Sequence, residues 1–158
     1  MKKIIGFALL ILFLVFLYRK FRVAPSLPFA ETKLVNIQGE TINFSQITKE
    51  KKIVCFYASW CGDCLKELND LNQVYDSLNG LKVIAITDEG LESAIDFSSR
   101  KKYPFTFYSL TRSFSEIDIH SIPVTYILND RGEVIFEKVG AINWKDASFK
   151  KHLEGKFN

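Results

Sequence analysis

Cysteine and histidine are scarce in this 158-residue chain: there are three cysteines, Cys55, Cys61 and Cys64, and two histidines, His120 and His152. Three cysteines are too few to staple a scaffold. A lone C-x-x-C supplies half of a four-ligand zinc site and the histidines do not stand at ligand spacing, so no metal is expected. No dinucleotide-binding glycine fingerprint occurs, which removes a nicotinamide or flavin domain from consideration. Internal repeats and low-complexity tracts are also lacking. A basic stripe is missing despite the net charge of +3. Five of the 21 basic residues, Lys2, Lys3, Arg19, Lys20 and Arg22, flank the first apolar run, and the 18 acidic residues outnumber the rest. Nothing remains to hold a phosphate backbone, and nucleic acid is a poor candidate partner.

What is present has an ordinary globular composition, 47% apolar and 25% charged, with a length suited to one domain. Ile4 to Tyr18 is an unbroken apolar run bracketed by basic residues. At helical rise it spans roughly 22 Å, short of the ~30 Å hydrocarbon core, although flanking lysines and arginines can snorkel and Tyr18 suits the interface. Three readings stay open: a retained membrane anchor, a cleaved signal peptide, and a buried core helix. The basic, proline-broken stretch after the run argues against a signal-peptide cleavage site. The expected division is residues 1–22 as membrane anchor or signal peptide, 23–31 as a linker stiffened by Pro25 and Pro28, and 32–158 as the folded domain. Basic residues are nearly balanced across the run, so the positive-inside rule does not fix the orientation.

Hydrophobic periodicity predicts the elements of that domain. Residues 33–44 read as a β-hairpin around Gln38-Gly39, and Lys52 to Ala58 as a central strand buried on both faces. Cys61 to Leu78 has helical spacing and stops at Asn79-Gly80. Leu81 to Ile86 reads as a second buried strand, and Leu91 to Lys101 as a helix with Leu91, Ala94, Ile95 and Ser98 on one face. Pro104 to Leu110 is an ambiguous apolar stretch, and Ser113 to Ile117 suggests a short helix. Val124 to Leu128 and Glu133 to Val139 form a hairpin around Asn129-Gly132, and a last helix spans Asn143 to Leu153, capped by Asn143. The order implies an α/β domain: a central mixed β-sheet flanked by helices, with an N-terminal β-hairpin extension.

The candidate chemistry lies in Trp60-Cys61-Gly62-Asp63-Cys64, where a buried strand passes into a helix. Two intervening residues bring the sulfurs within disulfide reach. Free N–H groups and the positive dipole end at a helix start stabilise a thiolate on the first cysteine. The thiolate is the attacking species in disulfide exchange, so Cys61 is the expected nucleophile and Cys64 the resolving thiol.

These residues, FYASWCGDC followed by SIPVTYILNDRGEVIFEKVG, resemble the thioredoxin superfamily, and more closely its TlpA/ResA-like branch of membrane-anchored, extracytoplasmic thiol–disulfide oxidoreductases. The hairpin LPFAETKLVNIQGETINFSQI matches that branch's lead-in, and the likeness covers nearly all of residues 27–142. The resemblance implies a thioredoxin-like fold and a redox-active Cys61–Cys64 disulfide with no other cofactor. It implies that Ile122-Pro123 is the loop whose cis-proline faces the disulfide and pairs with an extended substrate segment, and that Trp60 is the aromatic beside the nucleophile. Glu67 matches an acidic residue that the branch places near the disulfide, where it would take the Cys64 proton; a solvated surface Glu is the alternative. Asp63 departs from the pattern by standing where relatives have Pro. A negative charge there disfavours the thiolate and makes the dithiol a stronger reductant. Cys55 occupies the strand position where thioredoxins carry a buried Asp, as a silent hydrophobe or a third redox thiol.

The expected function is therefore exchange of disulfides with protein thiol substrates, as a reductant on the periplasmic side, anchored through residues 4–18 and recharged by a membrane electron donor. A chaperone or assembly module that binds extended chains at the Ile122-Pro123 groove is the alternative. A peroxidase would need a lone activated Cys with a Thr three residues before it and a supporting Arg, an arrangement that no cysteine here has.

Overall fold

Strands whose side chains alternate between two apolar faces need cover on both sides, and this requirement organises the chain. A computed structural model describes residues 2–27, 31–47, 50–78 and 80–156. Pro28 of the expected linker and Asn79 of the expected helix stop lie outside the described residues.

The first element, α1, runs Lys2–Arg22. It is longer than the apolar run that seeds it, because the basic residues beyond Tyr18 continue the helix. Its 21 residues rise about 31 Å, which removes the shortfall seen from the apolar run alone. Ile4–Phe21 is long and apolar enough to cross a membrane and is 0% buried, so it is not a core helix. Immediately after it, Ala24 is buried in the domain and the Tyr126 hydroxyl donates to the Pro25 carbonyl at 2.7 Å.

The hairpin forms as expected from β1 (Lys33–Asn36) and β2 (Thr41–Asn43), with Gly39 at φ 86° in its turn. Next come β3 (Lys52–Phe56), α2 (Gly62–Val74) with a 3-10 extension over Tyr75–Leu78, β4 (Lys82–Thr87) and α3 (Leu91–Lys101). The ambiguous stretch resolves into β5 (Thr106–Leu110), followed by a 3-10 turn at Phe114–Ile117, then β6 (Val124–Leu128), β7 (Val134–Val139) and α4 (Ala147–Lys156). The seven strands form one mixed sheet in the order β2-β1-β5-β4-β3-β6-β7. β3, β4 and β5 run parallel through helical crossovers, and the other pairings are antiparallel.

Alternation along β3 divides the core. Ile53 and Cys55 join Leu68, Leu71, Phe97, Phe107 and Trp144 beneath the helices. Val54 and Phe56 face the other way, with Leu34, Ile84, Ile86, Phe114, Tyr126 and Ala24. Two expectations need correction. On α3 the buried side chains are Ala94 and Phe97, while Ile95 is exposed, because the helix turns Phe97 onto Tyr57 and Phe107. The last helix is capped by Asp146 rather than Asn143: Asp146 Oδ1 accepts from the N–H groups of Ser148 and Phe149, whereas Asn143 closes a turn to Lys145.

Candidate active site

β3 delivers the chain to one end of the sheet, where Tyr57 and Ala58 stay buried. The Cys61 N–H donates to the Ala58 carbonyl at 3.1 Å and closes a turn. Cys61 then becomes the N-cap of α2, in extended geometry, so its sulfur sits where the first helical N–H groups are unpaired. The Cys64 N–H donates to Cys61 Sγ at 3.2 Å. A disulfide joins Cys61 to Cys64, their Cα atoms 5.2 Å apart.

Accessibility separates the two sulfurs. Cys61 is 8% exposed and Cys64 1%, while neighbouring Trp60 stands 75% exposed. Asp63 is solvent-exposed in the first turn of α2, where an acidic side chain favours the helix dipole while adding negative charge beside the sulfurs. Val124 pairs with Phe56, which places Ile122 and Pro123, just before β6, at the same end of the sheet as the disulfide. The Ile122-Pro123 peptide is cis; Pro123 is buried, Ile122 half-buried, and the Pro123 carbonyl accepts from Gly140 N–H at 2.8 Å. Trp60, Cys61, Asp63, Cys64, Ile122 and Pro123 thus converge from two segments.

Glu67 is not a surface residue. It follows Cys64 by three positions on α2, and both are buried on the same helix face. Its carboxylate accepts from the Thr125 hydroxyl at 2.7 Å, the Trp144 indole N–H at 3.2 Å and the Ile142 N–H at 3.4 Å. Burial raises its pKa, and these three donors together with Lys138 pull it back only in part.

The Thr125 hydroxyl also stands 3.6 Å from Cys55 Sγ. Having one proton, it gives that proton to the nearer carboxylate and remains an acceptor for the thiol. Burial pushes the Cys55 thiol well up, and the Glu67 charge adds to the shift, so Cys55 stays protonated. One turn further along α2, Asp70 accepts from Lys66 at 2.8 Å and pairs with Lys145 at 3.0 Å. This pair ties the loop bearing Trp144 to the helix that bears Glu67.

Thr125 and Trp144 were not anticipated. Their signals were faint: a threonine in a largely apolar strand, and an indole in the first turn of the expected last helix. Both meet Glu67 through the topology, 58 and 77 residues along the chain.

The family model described as the AhpC/TSA family matches residues 25–137. Sporulation thiol-disulfide oxidoreductase A of Bacillus subtilis is 28% identical over 124 residues, covering 73% of this chain and 74% of that protein. Thiol-disulfide oxidoreductase ResA of Bacillus cereus is 20% identical over 127 residues, covering 77% and 70%. Among solved structures, StoA from Bacillus subtilis matches 84% of this chain and 97% of its own, with TM-score 0.55 and 24% identity. A thioredoxin-like protein from Aeropyrum pernix matches 80% and 89%, with TM-score 0.63 and 17% identity. The fold is thioredoxin-like.

Proposed function

Because this chain belongs to the AhpC/TSA family and is a thiol–disulfide oxidoreductase acting on protein thiols, we propose that it works as a membrane-anchored reductant through Cys61 and Cys64. The observation that carries this reading is the placement of Cys61 Sγ at the start of α2, accepting the Cys64 N–H, with a buried carboxylate one turn deeper.

In the dithiol state the Cys61 thiolate attacks one sulfur of a substrate disulfide. A Cys61–substrate bond forms, and the second substrate sulfur leaves as a thiolate and takes a proton. Cys64 then gives its proton to Glu67 and attacks Cys61 Sγ, which releases the first substrate sulfur. Two electrons pass to the substrate, and the Cys61–Cys64 bond stores the oxidised state with no further cofactor. The raised pKa of Glu67 suits a base that must accept a thiol proton. An extended substrate segment lies along Ile122-Pro123 beside exposed Trp60. With α1 as anchor, the domain lies outside the cytoplasm, and a membrane donor returns electrons to the disulfide.

The test is equilibration of the full chain, in detergent, with thiol buffers of graded potential, counting alkylated cysteines by mass. A two-thiol transition near ~−270 mV or below is expected. A transition near ~−120 mV would mark an oxidant. No reversible Cys61–Cys64 disulfide at all would leave a module that binds extended chains.

A further inference from the structure

The turn that carries the nucleophile is gripped from a neighbouring loop. Glu89 lies between β4 and α3. Its Oε2 accepts the Ser59 N–H at 2.6 Å, and its Oε1 accepts the Ser59 hydroxyl at 2.8 Å. Ser59 is the second residue of the Ala58–Cys61 turn, two before the attacking sulfur. Glu89 is itself fixed: the buried Thr87 hydroxyl donates to Oε2 at 3.1 Å and accepts the Glu89 N–H at 3.3 Å. The next residue back, Asp88, accepts the Phe114 N–H at 2.8 Å, which holds the 3-10 turn leading toward Ile122-Pro123. One loop therefore ties both segments of the site to the end of β4.

We propose that Glu89 is a positioning residue for disulfide exchange, which fixes the Ser59–Cys61 turn so that Cys61 Sγ stays aligned with the first N–H groups of α2. The inference rests on Cys61 being the attacking sulfur. Two donors on one residue, each matched to its own carboxylate oxygen, leave that residue little freedom, and charge-assisted bonds of this kind are the strong ones. Without the grip the turn relaxes, Cys61 loses its alignment, and its thiolate becomes harder to form.

Glu89→Gln separates position from charge. The amide oxygen can still accept the Ser59 N–H, while the amide nitrogen donates to the Ser59 hydroxyl, which turns to accept. Glu89→Ala removes everything.

The experiment uses the reduced full chain in detergent and follows iodoacetamide alkylation of the Cys61 peptide by mass across a pH series, with melting curves as a control for folding. At pH 7 the rate is expected to fall roughly tenfold in Glu89→Ala, the equivalent of a one-unit rise in the thiol pKa. Glu89→Gln should stay within about twofold of the native rate. Ser59→Ala, which removes only the hydroxyl and leaves the Ser59 N–H and Thr87 bonds to Glu89 in place, should fall about threefold, since one of the two grips remains. Rates within twofold of native in both alanine variants overturn the proposal. So does a folded Glu89→Gln whose rate departs from native as far as that of Glu89→Ala, because charge rather than position would then be at work. Turnover of oxidised glutathione by the native chain is measured alongside. Its absence would count against the exchange reading, while the alkylation comparison would still decide the role of Glu89.

Discussion

At the scale of single residues, the site contains three cysteines, and burial sets Cys61, at 8% exposure, apart from Cys64 and Cys55, which are almost fully enclosed. Cys55 is walled in, and its thiol is held well above its ordinary value by burial. The reduced, folded chain should therefore alkylate first at Cys61, with Cys55 modified only on denaturation, when all three cysteines react, a difference that mass spectrometry reads directly; rapid modification of Cys55 in the folded chain would contradict its assignment as a silent thiol. Glu67 makes a second prediction. Its folded pKa lies above the ordinary glutamate value, with burial as the leading cause. The folded state therefore keeps a proton that the unfolded chain has already lost. The stability this contributes is full below the ordinary value and is lost as pH rises through the raised one. Melting temperature should fall across that window in the native chain and stay level there in Glu67→Gln, whose amide oxygen still accepts from Thr125 and Trp144. Parallel curves for the two proteins would show that Glu67 does not titrate between them.

At the scale of elements, local signals and long-range ones part company. Asp146→Ala should cost about 1 kcal/mol in chemical denaturation by removing the cap of α4, whereas Asn143→Ala should cost less. That cap was misplaced from sequence because either residue can bond nearby N–H groups, and only the path of the loop decides which of them meets the helix start. The strands β3 and β4 and the helices α2 and α3 were legible because each carries its own periodicity. β5 was not: Tyr108 and Ser109 interrupt its apolar pattern, and it is a strand because β4 pairs with one edge and β1 with the other. The same division runs through the site. Cys61 and Cys64 share one helix start and were readable from their spacing, whereas Glu67 was singled out only by the family resemblance, with a solvated surface position as the alternative. Thr125 and Trp144 reach Glu67 only after the sheet closes, and no local spacing announces them.

At the scale of the whole molecule, α1 leaves its apolar side chains without cover while the domain encloses its own. The full chain should float with lipid vesicles and resist an alkaline wash. Leu12→Arg combined with Phe13→Arg, each costing about 3 kcal/mol near the middle of a span, should release it. Release of the native chain by the wash would count against the anchor. The two tryptophans of the chain add a consequence of their own. Trp60 stands in water beside the disulfide, and Trp144 lies in the core with its indole bonded to Glu67. The first emits at long wavelength and is quenched by an adjacent disulfide; the second emits toward the blue and responds to the charge of its partner. Intrinsic fluorescence of the unlabelled protein thus carries two channels, one for the oxidation state of the sulfurs and one for the proton on Glu67, so a single stopped-flow trace can time electron transfer against proton transfer.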